Sequence, residues 1–259
     1  MADRALFCAL HGTMEPHPWY DPATADPYIL FHARSHTRRW LAAPDDGRPE
    51  AGLWGMNDAG LDPLDEDSRR LWFQVSQQPL ARPRRAVPAQ QMLDCAGAVA
   101  DRVGRLDLEA AQLLVPLQEL PPGPHEGAYG DLVSALPWFA ELPARARTAV
   151  TVSLDSGTGT EAADAAPAMV ERLREIRQQV FTDITAAPGR DAARGLTPGI
   201  PDFPAVGAEG HRATFEGYLA EWSCEATGWL MALICEAAIE QGVRVPVVAT
   251  IRLSPRPGG

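Results

Sequence analysis

Thr148-Ala149-Val150-Thr151-Val152-Ser153-Leu154 is a run of β-favouring residues that stops at the turn cluster Asp155-Ser156-Gly157, so it reads as a strand and its end. Downstream, Met169, Val170, Leu173, Ile176, Val180 and Ile184 recur at three- and four-residue spacing. Glu171, Arg172, Arg174, Glu175 and Arg177 fill the other face, which predicts an amphipathic helix. Pro167 falls near its expected first turn and Pro188-Gly189 beyond its expected end. Residues 189–210 are rich in Gly and Pro and predict an irregular connection with room for one short strand. A strand is expected from about Thr214 to Trp222. Ser223 then suits the N-cap of a helix, with Glu225 in its first turn. That helix is apolar nearly all round (Trp229, Leu230, Leu233, Ile234), as for a helix packed on a sheet and covered. Gly242 would cap it, and Val245 to Leu253 predicts a closing strand.

The first half repeats this order. Ala5 to Leu10 predicts a strand ending at His11-Gly12-Thr13, and Leu71 to Gln77 a strand containing Trp72. A helix is expected from about Pro88 to Gly104, burying Met92, Cys95 or Ala96, Val99 and Val103, followed by a strand from Ala111 to Leu117. Leu93-x-Cys95-x-x-Ala98 with Gly104 parallels Leu233-x-Cys235-x-x-Ala238 with Gly242, and Leu10-His11-Gly12-Thr13 falls where Leu154-Asp155-Ser156-Gly157 falls. Asp26 to Ala42 is open: Asp26-Pro27 suits a helix start, while Tyr28-Ile29-Leu30-Phe31 suits a strand.

Each half thus offers strand, crossover, strand, helix, strand, the order of a ferredoxin-like split β-α-β unit with one strand short or missed. The expected fold is α+β: two tandem, diverged ferredoxin-like halves packed together, either as an α+β barrel or along a sheet seam. The first repeat would span residues 1–120 and the second 148–255. The Pro-rich linker between them, 121–147, would carry a short helical piece from Asp131 to Leu142 broken by Pro137. This layout resembles that of dimeric α+β barrel enzymes of specialised metabolism.

At 259 residues, 46% hydrophobic and 22% charged, the chain can bury a sizeable core and does not have the composition of a disordered protein. Its formal net charge is −11 and it has no lysine, which weighs against binding along a nucleic-acid backbone. The one short basic run, Arg82-Pro83-Arg84-Arg85, reads as a solvated loop. The apolar run from Ala5 to Leu10 is too short for a signal peptide, and Ala226 to Ile239, interrupted by Glu236, falls short of the ~20 residues that span a bilayer. Cys8, Cys95, Cys224 and Cys235 form no Cys-x-x-Cys pair and are expected to be free thiols. These features together predict a cytoplasmic protein with no membrane and no nucleic-acid partner.

His11 and Asp155 are the candidate catalytic residues, because both are expected at the end of the first strand of their half, where reactive groups are often mounted. Turn residues of these types also satisfy local backbone, which is the plainer reading. His11-Gly12-Thr13 has the His-x-Thr form of two-histidine phosphoesterases, but Asp155 stands where their second histidine would be needed. Trp72, Tyr218 and Trp222, expected on central strands, are the candidate ligand-binding aromatics, against a plain alternative of core packing. His32 and His36 would share a helix face, with His11 or His17 as a third ligand, but no His-Glu-x-x-His motif accompanies them and no metal is assigned. The Walker lysine and the Gly-x-Ser-x-Gly elbow are both missing, and no cofactor is expected.

The functional expectation is a small-molecule-handling protein, either a cofactor-independent enzyme of specialised metabolism or a ligand binder, with an apolar pocket between the halves formed by Trp72, Trp222, Tyr218, His11 and Asp155. The alternative is a non-catalytic acidic module of inhibitor, immunity or regulatory type that docks a basic protein partner, with Asp62 to Asp67 as the contact.

Overall fold

The computed structural model describes residues 5–42, 52–63, 68–77, 86–120, 137–176, 178–188, 190–196 and 211–254. The expected basic run at 82–85, most of the acidic segment and the first part of the linker lie outside these residues. In chain order the elements are β1 (Ala5–Pro16), α1 (Pro27–Thr37), β2 (Trp54–Pro63), β3 (Ser68–Gln77), α2 (Ala89–Val103), β4 (Gly104–Pro116) and α3 (Pro137–Ala140). There follow β5 (Thr148–Asp155), α4 (Glu161–Glu175), β6 (Phe181–Ala186), β7 (Arg212–Leu219), α5 (Cys224–Glu240) and β8 (Pro246–Leu253). The strands form one eight-stranded sheet in the order β2-β3-β1-β4-β8-β5-β7-β6, antiparallel at every pairing. The protein is therefore α+β. Its two chain halves meet where β4 pairs with β8, from Ala110 opposite Arg252 to Pro116 opposite Pro246. The sheet is open, with β2 and β6 at its edges among the described strands.

Alternation along the four inner strands sets the layers. Leu6, Cys8 and Leu10 of β1 are fully buried in the apolar core, as are Ala111, Leu113 and Val115 of β4. Val247, Ala249 and Ile251 of β8 and Val150, Val152 and Leu154 of β5 complete the set. Pairing keeps them level: Cys8 faces Leu113, Leu113 faces Ala249, and Ala249 faces Leu154. A one-residue slip in any strand would turn its apolar set to the other face, so the core pins the register. The helices α2 and α5 pack on each other over this core, and small residues let them close. A Cβ on Gly97 would come within 2.8 Å of Cys224 Cβ, and one on Gly228 within 2.9 Å of the Gln90 Cα.

Several elements differ from expectation for identifiable reasons. Asp26 accepts a hydrogen bond from the Ile29 amide at 2.7 Å and Pro27 opens the first turn, so α1 is a helix. The strand β1 does not stop at Leu10. Register shifts between His11 and Gly12, and Gly12 lies so close to β4 that a Cβ there would sit 2.0 Å from the Asp107 carbonyl oxygen. This bulge lets the strand run on to Pro16, which puts His11 in mid-strand. The helix α4 begins at Glu161, so Pro167 lies inside it, and it ends at Glu175. Val180 and Ile184 continue its spacing but belong to a turn and to β6. The Gln178 side chain accepts from the Phe181 amide at 2.7 Å and donates to the Phe181 carbonyl, which closes that turn. The strand β7 ends at Leu219, which leaves Trp222 in the turn before α5. Ser223 caps α5 as expected, accepting from the Ala226 amide at 3.1 Å. No described helix is long and apolar enough to cross a membrane.

One buried carboxylate belongs to the helix layer. Glu236 of α5 is 1% exposed and accepts a hydrogen bond from the Val87 amide at 3.0 Å, tying α5 to the entry of α2. Burial pushes its carboxyl up to about 7, with Glu240 adding to the rise and the Val87 amide and Arg244 opposing it. The folded protein therefore holds this proton over a range where the unfolded chain has released it, and stability falls as pH rises from the ordinary carboxylate range toward about 7. Glu236→Gln should raise stability by about 1–3 kcal/mol near pH ~8 and change it little near pH ~4. Denaturant unfolding at both pH values checks this, and an equal effect at both would refute it.

Candidate functional site

The residues that alternate with the core form the opposite face of the sheet, and near the β4–β8 seam that face is both polar and buried. Gln112 of β4 faces Thr250 of β8, Thr250 faces Ser153 of β5, and Ser153 faces Thr214 of β7. A second row runs alongside: His11 of β1 faces Ala110, Ala110 faces Arg252, and Arg252 faces Thr151. His11, Gln112, Thr250, Ser153, Thr151 and Thr214 are all buried. Polar side chains buried in this number must find partners or cost stability. Most do. The Ser153 hydroxyl accepts from the Ala192 amide at 2.9 Å, Thr214 donates to the Arg190 carbonyl at 3.0 Å, and the hydroxyls of Thr151 and Ser254 lie 3.0 Å apart.

His11 is the exception. It is 2% exposed, and its Nε2 lies 2.9 Å from Gln112 Oε1. The Gln112 amide nitrogen donates to Thr250 Oγ1 at 3.2 Å, which orients the amide with its oxygen toward the imidazole. An amide oxygen only accepts, so Nε2 carries the proton and Nδ1 carries the lone pair. That Nδ1 is buried and has no hydrogen-bond partner among the described residues. Burial lowers the imidazole to about 4, the Gln112 hydrogen bond works against that fall, and the positive charges of Arg70 and Arg252 deepen it. At neutral pH the ring is a neutral acceptor.

Asp155, by contrast, has both oxygens committed. Oδ2 accepts from Arg212 Nε at 2.7 Å and Oδ1 from the Gly157 amide at 2.8 Å. Arg212 also donates to Asp191, so the cluster fastens the 190–196 segment to the end of β5. His11 and Asp155 occupy matching places, since Ala9 faces Gln112 as Ser153 faces Thr250 and each residue lies two positions further on. The strands run antiparallel about the seam, so that correspondence carries the two apart. Ideal sheet spacings separate them by roughly 20 Å, beyond reach of one reacting bond.

The three aromatics are likewise not gathered. Trp72 lies on β3 and stacks on Phe7 with ring centroids 5.6 Å apart. Trp222 donates from its indole N–H to the Leu108 carbonyl at 2.7 Å and packs against the helix-side core. Tyr218 is 46% exposed on β7, near the other edge of the sheet. His32 and His36 are exposed on α1, His17 binds the Asp101 carbonyl at 3.0 Å, and no group of three metal-ligating side chains occurs among the described residues. Asp62 is ion-paired to Arg70.

A groove of about 1390 Å³ opens beside this polar face, in the second half of the chain. Thr151, Thr214, Arg252 and Ser254 line it from the sheet, Arg190 and Arg194 from the following segment, and Ala163, Ala166, Pro167 and Val170 from α4. None of the five candidate residues named from the sequence is among its described lining residues. The arginines are what sequence reading missed. Arg194 and Arg252 are 58 positions apart and carry no shared motif, and only the pairing of β8 with β5 shows that Arg252 points to the polar face.

No family model matches the chain, and no curated protein does. Among solved structures, a 3-hydroxy-3-methylglutaryl-coenzyme A reductase of Streptococcus pneumoniae aligns at 13% identity over 93% of this chain and 70% of that one, with a TM-score of 0.22. A second structure of the same reductase aligns at 10% identity over 93% of this chain and 62% of that one, with a TM-score of 0.24. Likeness at this level bears on neither fold nor function.

A histidine lowered in the fold stabilises it fully above its unfolded value near 6.5 and loses that contribution as pH falls toward about 4. NMR titration of the His11 ring should therefore give a midpoint near 4 with the Nε2–H tautomer at neutral pH. A midpoint at or above 6 would overturn this assignment of the ring's environment.

Proposed function

We propose that the protein handles a small molecule, without a cofactor, on the polar face of its sheet beside the β4–β8 seam. The observation that carries this reading is the buried polar layer itself. A sheet face that serves packing alone is filled with apolar side chains, whereas this one holds His11, Gln112, Thr250, Ser153 and Thr151 next to a groove of about 1390 Å³. That volume is ample for small-molecule sites, which run to roughly 300–1,000 Å³. His11 is the residue best suited to proton transfer there, because it is neutral at physiological pH and its Nδ1 lone pair is not engaged by any described residue. Asp155 supports the site by holding Arg212 and the 190–196 segment. The apolar pocket expected between the halves gives way, in this reading, to a polar site that lies mainly on the second half.

We further propose that the chain is two diverged ferredoxin-like units. Each half reads strand, helix, strand, strand, helix, strand, and outward from the seam each places its fourth, first, third and second strands in turn. That order is the split β-α-β arrangement. A cytoplasmic setting is supported by four free cysteines, with burial pushing the thiols of Cys95 and Cys224 up to about 12.

Native mass spectrometry of the protein incubated with a metabolite extract should detect a one-to-one small-molecule adduct. His11→Gln keeps a donor toward Gln112 and should leave the unfolding temperature within a few degrees, while it weakens the adduct or stops its turnover. Adducts that form and turn over equally well with His11→Gln would remove His11 from the mechanism. No adduct under any condition would overturn the small-molecule reading.

A further inference from the structure

The groove's lining is cationic in a protein whose net charge is −11: five arginines line it against three carboxylates. Most of the arginines are neutralised. Arg174 pairs with Glu171 at 2.7 Å, Arg190 with Glu216 at 3.0 Å, and Arg212 with Asp155 and Asp191. Arg194 and Arg252 have no carboxylate partner among the described residues. They are held next to each other, because Arg252 Nη1 donates to the Arg194 carbonyl at 2.6 Å. That bond fixes one arm of the Arg252 guanidinium, and its other N–H groups have no hydrogen-bond partner among the described residues. The hydroxyls of Thr151, directly across from Arg252 on β5, and of Ser254 lie at the same place. Ala163, Ala166, Pro167 and Val170 of α4 also line the groove. Glu109 also lines the groove but is exposed, where solvent screens its repulsion of an anion.

We propose that this groove binds an organic anion, its carboxylate or phosphate head on Arg252 and Arg194. The proposal rests on the small-molecule reading above and specifies its ligand class. Guanidinium groups suit both heads, since their N–H forks match carboxylate and phosphate oxygens. The head would sit two strands from His11 in the same cross-strand row, with only the methyl of Ala110 between, so a ligand extending toward β1 approaches the imidazole.

Titration calorimetry with octanoate, octyl phosphate and neutral 1-octanol tests this. At least one of the two anions should bind one-to-one and at least about tenfold more tightly than the alcohol, and the tighter anion identifies the preferred head. Combining Arg194→Gln with Arg252→Gln should cost that anion about tenfold or more in affinity and flatten its salt dependence, with the ligand-free unfolding temperature held. Where Arg252→Gln disturbs folding, Arg194→Gln alone, at an exposed position, should still show a loss. Octanol binding as tightly as the anions, or anion binding indifferent to the arginine variants, would overturn anion recognition while leaving the small-molecule reading in place. Absence of binding by either anion up to about 10 mM would also overturn it, and the adduct measurement then decides the broader reading by itself.

Discussion

The pairing of β4 with β8 is the interaction on which the rest of the structure depends. It turns two sets of four strands into a single sheet and makes one continuous apolar layer of Leu113, Ala249 and their neighbours. It also creates the surface where the polar rows meet, because Gln112 and Thr250 face each other across it. The helices α2 and α5 close over the same line, at Gly97 and Gly228. Core, seam and candidate site are therefore set by one register.

Elements with strong local signals were legible in the sequence. The β-branched runs of β5 and β8, the Ser223 cap and the apolar α5 all lie within a few residues of where their composition puts them. The two strands that were not legible fail for opposite reasons. β2 contains Gly55, Asn57, Asp58 and Gly60, residues with poor strand propensity, and it is held by its neighbour β3 rather than by its own composition. β6 is hidden because Val180 and Ile184 extend the helical spacing of α4, and it takes the turn made by Gln178 to end the helix. For the site, His11 stood out as a titratable residue after an apolar strand, though its place in mid-strand depends on a bulge at Gly12 that has no signature beyond the glycine. The arginine pair was invisible, because it is assembled from β8 and a connecting segment by tertiary pairing alone.

Two of the buried titratable groups, Glu236 and His11, act against each other. Glu236 favours acid and His11 favours neutral or higher pH, so between about 4 and about 7 their contributions to stability have opposite slopes. One lies on the helix layer and the other on the far side of the sheet, and neither is among the causes of the other's shift. The protein's response to mild acid is thus flatter than either group alone would make it.

A β-ladder is blind to identity, since backbone amides and carbonyls of any strand can satisfy one another. What selects β8 of the same chain as the neighbour of β4 is the tether between the halves, which raises the local concentration of one edge at the other. The fit of α2 against α5 then rewards only the correct alignment. The seam thus joins the two parts of the chain much as an interface joins two subunits. If the tether opened it transiently, the same edge would be free to accept β8 from another copy, and exchange of halves between molecules would follow from the very hydrogen bonds that join them within one.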